Sequence, residues 1–161
     1  MRRALLALAA VAILGTGVVG LTTSVPVLSV TGGKNTFLAY TPDGDKVVYA
    51  YRQSIYNVTV WEEFQRVGDR LELMRVSGED IRAIEYFRWD NPIRQEGQYF
   101  VSDAPRSEHE ELVIRISPGA EQRIRASEWS IFLEERFGDA VITVKLERPP
   151  VLLALVRGLT W

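Results

Sequence analysis

The sequence predicts an all-β domain, an antiparallel β-sandwich or partly closed barrel, preceded by one N-terminal transmembrane helix. Two observations support this prediction. An unbroken apolar run at the N-terminus is followed by short segments in which apolar and polar side chains alternate, rich in β-branched and aromatic residues. Alternation with a period of two is typical of half-buried strands, and about eight to ten such segments separated by turn residues are typical of a sandwich or barrel.

The N-terminal run covers residues 4–21, in which Thr16 is the only polar side chain, and it follows Arg2 and Arg3. As a helix this run would span about 27 Å, close to the hydrocarbon thickness of a bilayer. The sequence that follows it lacks the small-residue cleavage site expected of a signal peptide. We therefore expect residues 1–24 to form a retained signal-anchor, and a cleaved signal peptide is the alternative.

The paired arginines also predict the orientation of a single-pass protein in the cell membrane. Because positively charged flanks stay on the cytoplasmic side, residues 25–161 are expected to fold outside the cytoplasm. Removing Arg2 and Arg3 from the 19 basic residues leaves 17 against 21 acidic ones, a net charge of −4 for the exported part. We therefore expect its attraction to anionic lipid to be weak or absent.

Within the β domain, turn signals rich in Gly, Pro and Asp separate the alternating segments. Strands are predicted, in order, over residues 25–30, 37–41, 46–54, 55–67, 71–73, 111–117, 127–137 and 140–147. Residues 91–110 contain two prolines and a glycine among many charged side chains, which predicts a long exposed excursion. Helix is expected only as a turn or two within residues 79–86.

The C-terminal segment, residues 151–161, is strongly apolar yet too short to span a bilayer. One interpretation is a cap packed over an open end of the β core. The other is an interfacial segment with Trp161 at the lipid headgroups beside the N-terminal helix. A patch of this kind left exposed would also serve for docking to another membrane protein.

The composition excludes several classes of function. The chain has no cysteine, which excludes a disulfide framework, a thiolate metal site and a cysteine nucleophile. Its single histidine, His109, excludes multi-histidine metal sites and lies in a charged stretch that predicts a solvated side chain. The net charge argues against a nucleic-acid partner, and no phosphate-binding loop, dinucleotide fingerprint or G-x-S-x-G motif occurs. We expect no enzymatic activity, no cofactor and no metal.

Glu62 is the most informative polar residue. It falls on the same predicted strand face as Val60 and Phe64, where a carboxylate is costly to bury. Burial would raise its pKa unless a donor reaches it. Four interpretations stay open: a satisfied buried network that fixes the strand register, a β-bulge that turns Glu62 outward, a ligand or partner site, and a catalytic role.

The hairpin that contains Glu62 predicts its neighbours. If residues 54–57 form the turn, Tyr49 lies directly across from Glu62, and Gln53 lies on the same face at the turn end. Tyr49, Gln53 and Glu62 could then form a small polar cluster among apolar side chains. With Ser54 beside them, these residues are the candidate binding site.

Three stretches resemble the domain of unknown function 1850 family: Val48–Ile55 (VYAYRQSI), Val60–Phe64 (VWEEF) and Leu71–Leu73 (LEL). The resemblance covers roughly residues 37–146, with a later Arg-Ile segment and a final hairpin. Members are small anchored exported domains, typically encoded beside TAXI-type tripartite (TRAP) transporters, which take up small organic solutes with a binding protein. The resemblance implies a non-enzymatic accessory protein whose partner is the transporter permease or its solute-binding protein.

Two departures from the family pattern alter this expectation. The family has a histidine before the serine at the strand end, where this chain has Gln53 before Ser54. The family's Ser-Phe-Gly-Ala-Gly-like stretch is not recognisable in Arg82–Trp89. The family's strand glutamate coincides with Glu62. The alternative function is therefore a small-molecule-binding β domain with its site near Tyr49, Gln53 and Glu62.

Overall fold

The computed structural model describes residues 23–126 and 128–159 and confirms the all-β class as two antiparallel sheets. Neither sheet closes into a barrel, so the sandwich is the correct alternative. The helix predicted over residues 4–21 lies outside the described residues, as does Trp161. In the described part of the chain, no helix has both the length and the apolar character needed to cross a bilayer.

The smaller sheet has four strands in the order β2-β1-β11-β8, and the larger has seven in the order β10-β9-β3-β4-β5-β7-β6. The strands are β1 (Val27–Gly32), β2 (Asn35–Tyr40), β3 (Lys46–Gln53), β4 (Val58–Val67), β5 (Arg70–Gly78), β6 (Ile93–Glu96), β7 (Tyr99–His109), β8 (Glu111–Arg115), β9 (Arg123–Arg125), β10 (Ser130–Phe132) and β11 (Val141–Glu147). Three short helices are described: α1 (Ile81–Glu85), α2 (Leu133–Phe137) and α3 (Val151–Val156).

The main core lies between the inner faces of the two sheets, as the alternation predicts. Each fully buried Val, Leu, Ile or Phe side chain contributes roughly 1.5–3 kcal/mol to folding, so this layer holds the sheets together. Its buried members are Leu28, Val30, Ala39, Val47, Phe64, Leu71, Ile114, Ile116, Ile124, Trp129, Leu133, Ile142, Val144 and Leu146.

A second, smaller apolar cluster lies on the outer face of the four-stranded sheet. There Ala154 of α3 packs against Val25, Val27 and Leu38. The C-terminal segment therefore covers a sheet face, whereas the cap interpretation placed it over an open end of the core. Pro149 and Pro150 follow one residue after β11 and cannot continue a strand ladder, so the chain leaves the sheet and folds back as a helix.

Residues 91–110 are largely exposed, as expected, but they are not an excursion from the β core, because most of this stretch forms β6 and β7 at the edge of the large sheet. Gly97, with φ 65°, supplies the tight turn between the two strands. Pro105 falls where the pairing of β7 with β5 shifts register, between Leu73 and Arg75. A proline needs no ladder hydrogen bond at such an irregularity, so it does not interrupt the strand.

The strand predicted over residues 127–137 is wrong in its second half, which forms α2. Glu134, Glu135 and Arg136 are good helix formers, and Gly138, with φ 67°, ends the helix by donating its N–H to the Glu134 carbonyl at 2.8 Å. The preceding apolar alternation is too short to distinguish a strand from the start of a helix.

Arg66 joins two turns at one end of the sandwich, and its side chain is fully buried. Its guanidinium donates to the backbone carbonyls of Thr41 and Gly68. The carboxylates of Asp43 and Asp69 lie 3.0 Å and 3.6 Å from its nitrogens. Because an unpaired buried guanidinium would be very costly, these contacts link the β2–β3 turn to the β4–β5 turn.

We expect Arg66→Met to lower the free energy of unfolding by about 2–4 kcal/mol, because it leaves the buried Thr41 carbonyl and its neighbours without a donor. The matched control is Arg70→Met. Arg70 is half exposed and pairs with Glu108 and Glu110 at 2.9 Å and 3.1 Å, so its loss should cost less than about 1 kcal/mol. Chemical denaturation measures both variants. Equal losses would show that the buried contacts of Arg66 contribute no more than a surface ion pair.

Candidate functional site

The β3–β4 hairpin brings three of the four predicted site residues together on one face. Tyr49 pairs with Glu62 in the predicted register, and Gln53 lies on the same face at the turn end. Asn57, with φ 55°, donates its N–H to the Gln53 carbonyl at 2.8 Å and closes the turn. Ser54 lies in the turn and is exposed to solvent. The hairpin prediction is confirmed, including the inward direction of Glu62.

An open cleft runs along the inner face of the large sheet, between the edge strand β8 and the chain that follows α1. The stacked rings of Tyr49 and Tyr51, 5.0 Å apart, are shared by two adjoining cavities of about 490 Å³ each. We call these two cavities the tyrosine cleft. One is lined by Glu62, Phe64, His109 and residues 111–115, and the other by Arg52, Gln53, Ser54, Ile55, Tyr86, Phe87, Ser117, Ala120 and Gln122.

Glu62 is half-buried at one side of the cleft. Burial raises the pKa of its carboxyl above the ordinary value, and a hydrogen bond from the Tyr51 hydroxyl, which favours the charged form, only partly opposes this. Burial likewise raises the pKa of Tyr51, and the nearby Glu62 charge raises it further. Tyr51 therefore stays protonated, and its hydroxyl donates a hydrogen bond to the Glu62 carboxylate.

Tyr49 has a different partner from the one the sequence suggested. Its hydroxyl accepts a hydrogen bond from the Gln122 side chain at 2.7 Å. Burial raises the pKa of Tyr49 to about 12, so its own proton remains available to donate. Gln122 also donates to the Arg115 carbonyl at 2.9 Å and accepts the Ser117 N–H at 2.8 Å. This amide is therefore held rigidly behind the cleft.

Gln53 is 8% exposed, and its side-chain carbonyl oxygen, Oε1, is buried without a hydrogen-bond partner among the described residues. Such an atom costs about 1–3 kcal/mol compared with a paired one. The predicted cluster of Tyr49, Gln53 and Glu62 is therefore not a closed hydrogen-bonded network. The bulge alternative is also wrong, since the register shift lies after Glu63 and leaves Glu62 facing inward.

His109 lies at the end of β7 and is half-buried, whereas the sequence predicted a solvated loop residue. Its ring meets Phe64 edge-on at 6.0 Å, and its Nε2 lies 2.9 Å from the Ser107 hydroxyl. In the part of the chain that the structure describes, no carboxylate contacts the His109 ring. The pair therefore lacks the third group that orients the base in serine hydrolases.

Two residues of the site, Tyr51 and Gln122, were not predicted from the sequence. Tyr51 could have been found, because it lies two residues from Tyr49 on the same strand face. Gln122 has no local signal, since it is 73 residues from Tyr49 along the chain. Over residues 23–126 and 128–159, no group of three His, Asp or Glu side chains is placed to hold a metal ion.

Comparison with known proteins does not assign a function to the tyrosine cleft. No protein-family model, no curated protein and no solved structure matches the chain. The motif resemblance thus stays a prediction, and the functional argument rests on the tyrosine cleft itself.

Glu62→Gln should make the domain more stable than the wild type near pH 7. The pKa of Glu62 is raised in the folded state, so its contribution to stability is full below its ordinary value and is lost as the pH rises through the folded-state pKa. Glutamine keeps an acceptor for Tyr51 and does not ionise. Melting temperatures measured from about pH 4 to pH 8 should converge at the acid end and diverge at the neutral end.

The matched control for this prediction is Glu63→Gln. Glu63 points to the other face of the sheet and pairs with Arg75 at 2.7 Å, so its substitution should lower stability slightly at neutral pH. A Glu62→Gln variant that is less stable than the wild type near neutrality would show that the carboxylate is stabilised by its hydrogen bond more than it is penalised by burial.

Proposed function

We propose that this chain is a non-enzymatic extracytoplasmic domain, held at the cell membrane by residues 1–24, that binds a small solute in the tyrosine cleft. The observation that supports solute binding is the Gln53 side chain, which lines an open cavity of about 490 Å³ and whose Oε1 has no hydrogen-bond partner among the described residues. Because this atom is closed to solvent, a solute reaches it only when the side chain turns toward the cavity. A buried acceptor without a donor is destabilising, and a solute that supplies the donor would recover that free energy.

The polar groups of the cleft define the solute class. Gln53 and Glu62 offer oxygen acceptors, Tyr49 offers one hydroxyl proton, and the stacked Tyr49 and Tyr51 rings offer aromatic contact. The complementary solute is a small neutral or cationic organic molecule with hydroxyl or ammonium donors. Dicarboxylates fit poorly, because the Glu62 carboxylate would repel them. The two guanidinium groups in the lining, Arg52 and Arg115, are already paired with Glu121 at 3.0 Å and Asp139 at 2.8 Å.

A second proposal concerns the partner. We infer that the domain acts as an accessory to a TAXI-type tripartite solute transporter, with the permease or its solute-binding protein as partner. The specific support is that Ser54 and Glu62, which match the family motifs, both line the tyrosine cleft, as does Gln53, which stands where the family has a histidine. A motif shared for structural reasons alone would not need to converge on one open cavity.

Solute binding is tested by thermal shift with three probes: glucose, ethanolamine and succinate. We expect glucose or ethanolamine to raise the melting temperature and succinate to leave it unchanged. A ligand at 100 times its Kd adds about 2.7 kcal/mol to stability, which such a measurement resolves readily. Gln53→Leu keeps the side-chain volume but removes the acceptor, and it should abolish the shift.

The control for that test is Gln95→Leu, the same chemical change at an exposed glutamine of β6. It should leave the shift intact. A shift that survives Gln53→Leu, or a response to succinate alone, would contradict the proposed solute class.

The transporter proposal is tested by co-purification of the full chain from native membranes in mild detergent. We expect a permease or a solute-binding protein to be recovered with the wild type. Glu62→Gln serves as the variant that keeps the fold while altering the cleft. Recovery of neither partner under conditions that keep other membrane complexes intact would argue against the accessory role.

A further inference from the structure

Helix α3 leaves most of its apolar side chains uncovered. Only Ala154 is fully buried, against the outer face of the small sheet. Leu152, Leu153 and Val156 are 43%, 39% and 78% exposed, and Leu155 is 50% exposed. A six-residue helix with four exposed aliphatic side chains is unusual on a domain surrounded by water.

The backbone places this helix where the apolar N-terminal run joins the domain. The N–H of Val151, the first residue of α3, donates to the Thr23 carbonyl at 2.8 Å, and Ser24 pairs with Pro150. The apolar run ends at Leu21, only two residues before Thr23. Two residues of extended chain reach about 7 Å, and the hydrogen bond from Val151 to Thr23 adds 2.8 Å, so α3 begins within about 10 Å of the end of the run.

We propose that the exposed face of α3 lies in the lipid interface of the membrane, beside the anchor. This inference rests on the proposed anchoring of residues 1–24. A segment that leaves the hydrocarbon at Leu21 holds α3, itself about 9 Å long, at the level of the headgroups. Burying the exposed side chains of Leu152, Leu153 and Val156 in the acyl boundary removes them from water, as in other interfacial helices.

Lipid fits this surface better than a protein partner does. A helix about 9 Å long and 10–12 Å wide presents a face of roughly 100 Å², far below the roughly 800 Å² that each partner buries in a stable interface. Lipid contact needs no such area, because the anchor already supplies the affinity. The exported part carries a net charge of −4, so this contact is apolar in origin and should not require anionic lipid.

The test uses the full chain reconstituted in phosphatidylcholine vesicles. The chain has no cysteine, so one introduced cysteine carries the only nitroxide label. Three variants are compared: Val156→Cys on α3, Ile55→Cys in the β3–β4 turn, and Ile13→Cys in the apolar run. Ile55 is the matched control, since it is 59% exposed. It lies just beyond Gln53, at the opposite end of β3 from Lys46. Relaxation is measured with oxygen, which concentrates in lipid, and with a water-soluble nickel chelate.

We expect the ratio of oxygen to nickel relaxation at Val156 to be several-fold higher than at Ile55, with unchanged melting temperatures for both labelled variants. A ratio at Val156 equal to that at Ile55, with Ile13 in lipid, would overturn the inference and leave the anchor intact. Nickel access at Ile13 would instead overturn the proposed anchoring. Val156 shielded from both reagents would show that protein covers α3, and dipolar broadening would identify that protein as a second copy of the chain.

Discussion

The register of the β3–β4 hairpin is the constraint on which the rest of the structure depends. Successive side chains of a strand point to opposite faces, so a slip of one residue would exchange the inner and outer sets. With Tyr49 opposite Glu62, the apolar Val47 and Phe64 face the small sheet and complete the core. Asn57 fixes this register by closing the turn with a left-handed backbone conformation. The core and the tyrosine cleft both follow from that pairing.

The buried polar groups of the domain differ in how completely they are paired. Arg66 meets two backbone carbonyls and two carboxylates, which ties the turns at one end of the sandwich together. In the tyrosine cleft, Glu62 receives a hydrogen bond from Tyr51, and the Oε1 of Gln53 receives none from the residues that the structure describes. Buried polar groups without a full set of hydrogen bonds lower the stability of the fold. Groups of this kind are expected at functional sites. The Nη2 of Arg66 also has no hydrogen-bond partner among the described residues, but it lies 3.6 Å from the Asp69 carboxylate, whereas the Gln53 side chain lines an open cavity.

The proposed solute site and the proposed lipid contact of α3 lie at different ends of the domain. Strand β3 rises about 23 Å from Lys46 to Gln53. The Lys46 end adjoins the turn at Thr41, whose N–H bonds the Pro26 carbonyl just after the proposed anchor. With α3 in the lipid interface, the Ser54 end of the cleft would face the aqueous space. A solute-binding protein or a free solute could reach the cleft there without approaching the bilayer.

Local pattern by itself determined the strands of the hairpin, its register and the inward direction of Glu62, because alternation and turn residues act over a few positions. Only the tertiary structure decided that Gln122, 73 residues away, would hold Tyr49, and that α3 would cover the small sheet through Ala154. It also decided that the Oε1 of Gln53 would have no hydrogen-bond partner within the described part of the chain. Whether an inward-facing side chain is buried, hydrogen-bonded or open to solvent depends on which distant segments of the chain pack against it. That is a property of packing between distant segments, which no local pattern encodes.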